Sequence, residues 1–389
     1  MTTCGNTHIL HAKEGGDYFM NKRDNIIQKT RDFYSMKKDA KIIQSEFGYY
    51  SLNRWIDEGH IKSVEDINKI CGIEGSAMNY MSGLGWCEAE FCPYFDVKVI
   101  EDRGDYELEQ DHAGRHVLYF KGRRNGFMPE YVAHPVVDQK SWERDVKWRM
   151  DPKAPSRFDY LQKTVENMKA LAANGEMIGQ SIIGGYMYLR SLVGPEGILY
   201  LVYDEPELVH DMMRSWFELA DEVTARHQEH VSFDEVFFAE DICYNHGLLI
   251  SPDMVREFLF PYYQQLISNI KKRQLDKSRH MYIQIDTDGD CRPSIPVYKE
   301  IGMDYLSPFE VASGCDVVEL RKEYPDLLFR GGIDKRVLAE GKEAIDRMID
   351  RIMPFMVKHG GYIPTCDHGV PEEVDFESFV HYRKRLNEF

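Results

Sequence analysis

The sequence predicts an α/β fold: a (β/α)8 barrel carrying an N-terminal helical extension and an inserted β-hairpin. Three observations predict it. Apolar runs and amphipathic stretches alternate through the second half of the chain, and that succession gives right-handed crossovers and a parallel sheet. No Gly-x-Gly-x-x-Gly fingerprint or phosphate loop follows any run, which favours closure into a barrel over a doubly wound sheet. The runs also end abruptly in acidic, His and Gly residues, as buried parallel strands do where they deliver side chains to loops. A chain of 389 residues with 43% hydrophobic content is long enough for such a barrel with insertions.

Residues 1 to about 25 are polar and contain Gly, the composition of a mobile or partner-contacting arm. From Asn25 to Gln44 the periodicity is helical, and SLNRWIDEGH adds a short helix ending at Gly59. Residues 1–60 are thus expected to form the helical extension and 61–389 the barrel. Between about 95 and 122, FDVKVIEDRGDYELEQDHAGRHVLYFKG alternates apolar and polar residues around Asp105 and the Ala113-Gly114 turn, the pattern of an antiparallel hairpin. The stretch 134–152 carries Trp142 and Trp148 near helical spacing before a Pro stop, predicting a helix on the barrel's outside. Strands are expected at MIGQSII (177–183), VFFAED (236–241), MYIQID (281–286), MDYLSP (303–308), LLFRGGID (327–334) and GYIPT (361–365). Helices are expected at about 196–230, at 250–273 with Ser251 as cap and Pro252 in first position, at 337–359, and finally to Phe389.

The net charge of −17 argues against a nucleic-acid surface, which needs clustered Lys and Arg, and more weakly against a polyanionic substrate. No apolar run approaches the roughly 20 residues of a membrane span. The N-terminus lacks the apolar stretch of a signal peptide, so a soluble, cytoplasmic protein is expected. The eight Cys include no Cys-x-x-Cys pair, and reduced thiols are the natural reading. Cys291 and Cys366, near the strand ends, read as small buried thiols.

In barrels the chemistry collects at the C-terminal strand ends, which here carry Glu240-Asp241, Asp286, Asp288, Glu310, Asp334 and Asp367-His368. Acidic groups focused at one mouth repel unless a cation holds them, and a divalent metal is the simplest cation. The bland alternatives are a helix cap at Asp334, an Asx turn around Asp288-Gly289-Asp290, an ordinary salt bridge at Glu310 and a structural imidazole at His368. Trp86, Tyr94, Phe95, Tyr186 and Tyr188 fall near the expected opening, where aromatic rings stack on flat substrates; the competing reading is that each belongs to the core.

FAEDICYNHGLLISPDMVREFLFPYYQQLI, DTDGDCRPSIPVYKEIGMDYLSPFEVASGCDVVELRKEY, RGGIDKRVLA and GGYIPTCDHGVPEEVDFESFVHY occur in an order and spacing that resemble the uroporphyrinogen decarboxylase superfamily, in its corrinoid-dependent methyltransferase-like branch. The likeness is good from about Asp159 to Phe389 and loose before it. It implies the same barrel. True decarboxylases of the family use an Arg-rich N-terminal segment for the porphyrinogen carboxylates, whereas GYYSLNRWIDEGH offers only Arg54. The methyltransferases instead carry zinc on a His-x-Cys pair and a later Cys.

Here Asp286-x-Asp288, Glu310 and a residue of Cys366-Asp367-His368, taken as His368, stand at those positions. The resemblance thus implies Zn2+ held by Asp288, Glu310 and His368, with Asp286 as a fourth or supporting group. Oxygen and imidazole ligands leave a harder, more Lewis-acidic ion than thiolates do, suited to an ether oxygen. The expected reaction moves a methyl group from an aryl methyl ether to cob(I)alamin. Glu240 and Asp241 are expected to be catalytic, orienting the substrate or protonating the product, with Tyr94, Tyr186, Tyr188 and His246 binding the substrate. The chain lacks the Asp-x-His-x-x-Gly corrinoid signature, so the corrinoid (cobalamin) is expected on a separate partner protein. The alternatives are a methylcorrinoid:thiol methyltransferase, a decarboxylase of the same superfamily, and a non-catalytic barrel that only binds.

Overall fold

The computed structural model describes residues 22–122 and 129–389. Most of the expected N-terminal arm lies outside them, and Lys22 already opens the helix Lys22–Tyr34. In chain order the strands are β1 (Met78–Met81), β2 (Lys98–Arg103), β3 (Tyr106–Gln110), β4 (His116–Phe120), β5 (Glu130–Ala133), β6 (Met177–Ile183), β7 (Glu235–Ala239), β8 (Cys243–Tyr244), β9 (Gly247–Leu248), β10 (Tyr282–Asp286), β11 (Tyr305–Ser307), β12 (Leu328–Arg330) and β13 (Tyr362–Ile363). Among the described residues, seven of them form one sheet in the order β1-β6-β7-β10-β11-β12-β13, parallel at every step. Strands buried on both faces read as continuous apolar runs, and β6 is buried at all but one of its positions.

The two edges of this sheet are spanned by the extended segment 41–48. The Gln44 carbonyl accepts from the Glu74 and Gly75 amides just before β1, at 2.8 and 3.1 Å, and the Glu46 carboxylate accepts from the Cys366 amide just after β13 at 2.7 Å. Ile43 packs with Phe33 and Tyr34 of the first helix and with Met177, Tyr305, Leu328 and Ile363 from four barrel strands, which stoppers the N-terminal end. The helix expected to run to Gln44 therefore stops at Tyr34. Met36 and Asp39 take left-handed backbone conformations (φ 51° and 54°) that end it and turn the chain into the barrel gap.

The expected hairpin is larger than expected. β2, β3, β4 and β5 make a four-stranded antiparallel sheet, with the first two turns where the sequence placed them, at Gly104-Asp105 and around Gly114. The stretch 134–152 is not one helix. It is a capped helical turn (Gln139–Ser141), a π-helical turn (Trp142–Val146) and a 3-10 turn (Lys147–Met150), with Trp142 buried and Trp148 half exposed. The long helix expected after β6 is broken by Pro206 into Pro195–Asp204 and Pro206–Gln228. No helix among the described residues is long and apolar enough to cross a membrane.

Candidate active site at the barrel mouth

Register decides what meets at the mouth. Asp286, the last residue of β10, pairs with Ala239 of β7 and Ser307 of β11. Its carbonyl accepts from the Glu240 and Asp241 amides at 2.9 and 3.0 Å, so the β7 exit is pinned beside it. Ser307 donates its hydroxyl proton to the Asp286 carboxylate, and Gln284 donates to the same Ser307 oxygen at 3.0 Å. Burial pushes the Asp286 acid up to about 6, against the opposing pull of Ser307 and Arg330.

Two residues on, Asp288 sits opposite His368: Oδ2 and Nε2 are 3.8 Å apart. Loss of solvent, then the Asp241, Asp286 and Glu310 carboxylates, push Asp288 up to about 7, with Lys335 opposing. Its side chain is still 44% exposed, so water screens part of that repulsion. His368 is held below the ordinary imidazole range by burial and by the Lys335 charge. Its ring stacks on Tyr50 and meets Phe47 at a tilt of 36°, with centroids 5.7 and 4.9 Å away. Its Nδ1 lies 2.8 Å from the Gly369 amide, which donates to it, and 2.9 Å from the Tyr50 hydroxyl. With Nδ1 occupied as an acceptor, Nε2 is the nitrogen that carries the proton toward Asp288.

Glu310 follows β11. It accepts from the Gly289 amide at 3.1 Å and faces the Lys335 ammonium at 3.5 Å. Asp241 is matched by Arg190, whose Nη2 stands 2.5 Å from Oδ2. Two mouth residues hold left-handed backbone conformations without being Gly: Asp241 (φ 42°) and Phe309 (φ 61°), the residue before Glu310. Such outliers persist only where their surroundings over-determine them, and they cluster at functional sites. Gly331 has no such freedom to change, because a Cβ there would stand 1.7 Å from the Pro308 carbonyl oxygen.

The structure brings Asp241, Asp286, Asp288, Glu310 and His368 to one mouth. Glu240 lies beneath it, fully buried, accepting from the Tyr263 and Tyr298 hydroxyls and the Tyr186 amide. Tyr186 and Tyr188 are wholly buried, with hydroxyls that have no partner among the described residues. Tyr94 lies in the loop between β1 and β2, bonded to Glu90 with its ring against His112. His246 sits in the β8–β9 turn against Tyr244. Asp334 accepts from the Arg336 amide and guanidinium. The sequence reading passed over Lys335, Arg190, Phe47 and Tyr50. Lys335 follows Asp334, which reads as a helix cap, and Phe47 and Tyr50 fall on a segment whose place in the barrel gap no local pattern announces.

Zinc can be tested against this arrangement. Oxygen donors and an imidazole suit it in kind. In placement they do not: among the described residues no three His, Cys, Asp or Glu side chains gather closely enough to hold an ion. Glu310 is engaged by Lys335, and the Gly369 amide takes the His368 nitrogen that a metal-bound imidazole uses as its outer donor. As arranged, these residues do not form a zinc site.

The family described as uroporphyrinogen decarboxylase (URO-D) matches residues 126–388. No curated protein matches the sequence. Among solved structures, a methyltransferase from Methanosarcina mazei shares the fold at 13% identity and a TM-score of 0.56, the alignment covering 94% of this chain and 98% of that one. A B12-independent methionine synthase from Shewanella sp. W3-18-1 is also similar, at 12% identity and a TM-score of 0.37, covering 89% and 96%.

Proposed function

The chain belongs to the uroporphyrinogen decarboxylase family, and from that premise we propose that it is a methyltransferase, which removes the methyl group of an aryl methyl ether and delivers it to a corrinoid on a separate protein. The observation that carries the reading is the facing pair at the mouth, Asp288 and His368, beside Glu310 and Asp241. The corrinoid of the partner supplies the nucleophile, a cob(I)alamin that accepts the methyl carbon. What remains for this chain is the leaving oxygen. A phenolate whose acid has a pKa of about 10 leaves poorly at neutral pH unless a proton or a positive charge reaches it. Asp288, held near 7, and the His368 Nε2 proton are both available for that purpose. Lys335 and Arg190 offset the carboxylates around them.

Asp241 orients the substrate within reach of Arg190, and Glu240 fixes the Gly184–Tyr186 turn below it. Tyr186 and Tyr188, expected as substrate-binding residues, are core side chains, Tyr188 turned toward Asp211, while the loops carrying Tyr94 and His246 would reach the substrate's outer edge. The porphyrinogen reading is disfavoured by the charge of the mouth. Five carboxylates (Asp241, Asp286, Asp288, Glu310, Asp367) outnumber the cations Arg190, Arg330 and Lys335 beside them, and a polycarboxylate would be repelled.

The test is a panel. The chain, a reduced corrinoid protein and a series of methoxylated aromatics should yield the free phenol and methylcobalamin. If methylcobalamin instead methylates a thiol and no methoxy compound reacts, the thiol methyltransferase takes its place.

A further inference from the structure

The mouth gathers more carboxylates than Arg190 can neutralise, and like charges a few ångströms apart in a partly dry site repel strongly. Arg330 draws on Asp286 from below, and the cation facing Glu310 and Asp367 is Lys335. Its amide donates to Asp367 Oδ1 at 3.3 Å, and its ammonium stands 3.5 Å from Glu310 Oε1 and 3.7 Å from that same Asp367 oxygen. Asp367 is fully buried, and its other oxygen accepts from the Val311 amide at 2.9 Å. The exits of β11, β12 and β13 are therefore tied together around one ammonium, whose side chain is only 22% exposed. An ammonium offers three donors and no acceptor, which suits a point shared by several carboxylate oxygens.

We propose that the Lys335 ammonium is the resident cation on the Glu310 and Asp367 side of this mouth, occupying the role that the ligand-like spacing of Asp288, Glu310 and His368 suggests for a metal, and that it positions Glu310 beside Asp288. The proposal goes beyond the methyl-transfer reading and does not depend on it, because its test reads metal binding and not turnover.

The full chain is titrated with zinc against a chromophoric chelator. The wild type should compete weakly. Lys335→Met keeps the length of the side chain and removes its charge, leaving Glu310 and Asp367 without their ammonium. Zinc affinity should then rise about tenfold or more, the scale of one unit charge at a partly solvated site. Lys335→Arg should stay near the wild type, and adding His368→Ala to Lys335→Met should abolish the gain, which locates the new metal in the mouth. Lys335→Gln serves the same purpose should the Met variant fail to fold. Tight uptake of one zinc by the wild type, an unchanged affinity in both neutral variants, or a gain that survives His368→Ala would each overturn the proposal.

Discussion

Asp286 and Asp288 are two positions apart at one strand end, yet their surroundings differ. Asp286 is gripped by Ser307 at the barrel axis, whereas Asp288 reaches the solvent edge opposite His368. For Asp286 the sign of the pH effect follows from its raised value of about 6, against about 4 for an exposed aspartate. The folded chain keeps this proton longer than the unfolded chain does. Its stabilising contribution is present below about pH 4 and is lost as the pH rises through 6. Asp286→Asn, neutral at every pH, should accordingly gain melting temperature relative to the wild type at pH 8 compared with pH 5; an equal difference at both pH values would contradict the burial argument. At His368 the effect expected is kinetic. His368→Ala should lower kcat for demethylation by about a hundredfold or more, with a smaller change in KM, because its proton serves the leaving oxygen and not the bound substrate. A rise in KM alone would assign the ring to binding.

At the scale of elements, the segment 41–48 decides whether the barrel closes. Arg383 is wholly buried and donates to the Ser45 carbonyl, the Gln44 side chain and the Glu46 carboxylate, itself 1% exposed. Breaking a buried pair by removing one partner strands the other charge, so Arg383→Met should cost about 3 to 5 kcal/mol in denaturant unfolding. Glu46→Gln with Arg383→Met together should recover part of that loss. If the single variant costs less than about 1 kcal/mol, the segment does not hold the barrel shut.

The same segment marks the limit of what local pattern conveys. Strands with continuous apolar runs, such as β6 and β10, were legible within a residue or two, as was the Ser251 cap, whose hydroxyl accepts from the Met254 amide at 3.2 Å. The segment 41–48 was not, since its hydrogen bonds go to Gly75, Cys366 and Arg383, distant in sequence, and its helix-like periodicity simply continues that of the preceding helix. β1, only four residues long and mostly unburied along its length, carried no apolar run to find. At the site, the acidic strand ends were legible because parallel strands always deliver their ends to one mouth. Lys335 was not, because whether a lysine points into a mouth or out to water depends on the turn that carries it.

Considered whole, the molecule is an acidic barrel whose N-terminal end is stoppered by Phe33, Tyr34 and Ile43 and whose other end carries the titratable groups. Around that end Tyr50, Trp86 and Tyr244 are exposed. Aromatic rings on a rim are the common anchors of protein interfaces, consistent with a partner that brings the corrinoid to the mouth. The most direct test follows the methyl carbon itself. The chain is mixed with a reduced corrinoid protein and a methoxyphenol labelled with carbon-13 in its methyl group, and the label is located by NMR after a single turnover. The label should move from oxygen to cobalt while a stoichiometric amount of free phenol appears. A label that stays on oxygen with every methoxylated aromatic offered, under conditions where the corrinoid stays reduced, would contradict the methyl-transfer reading.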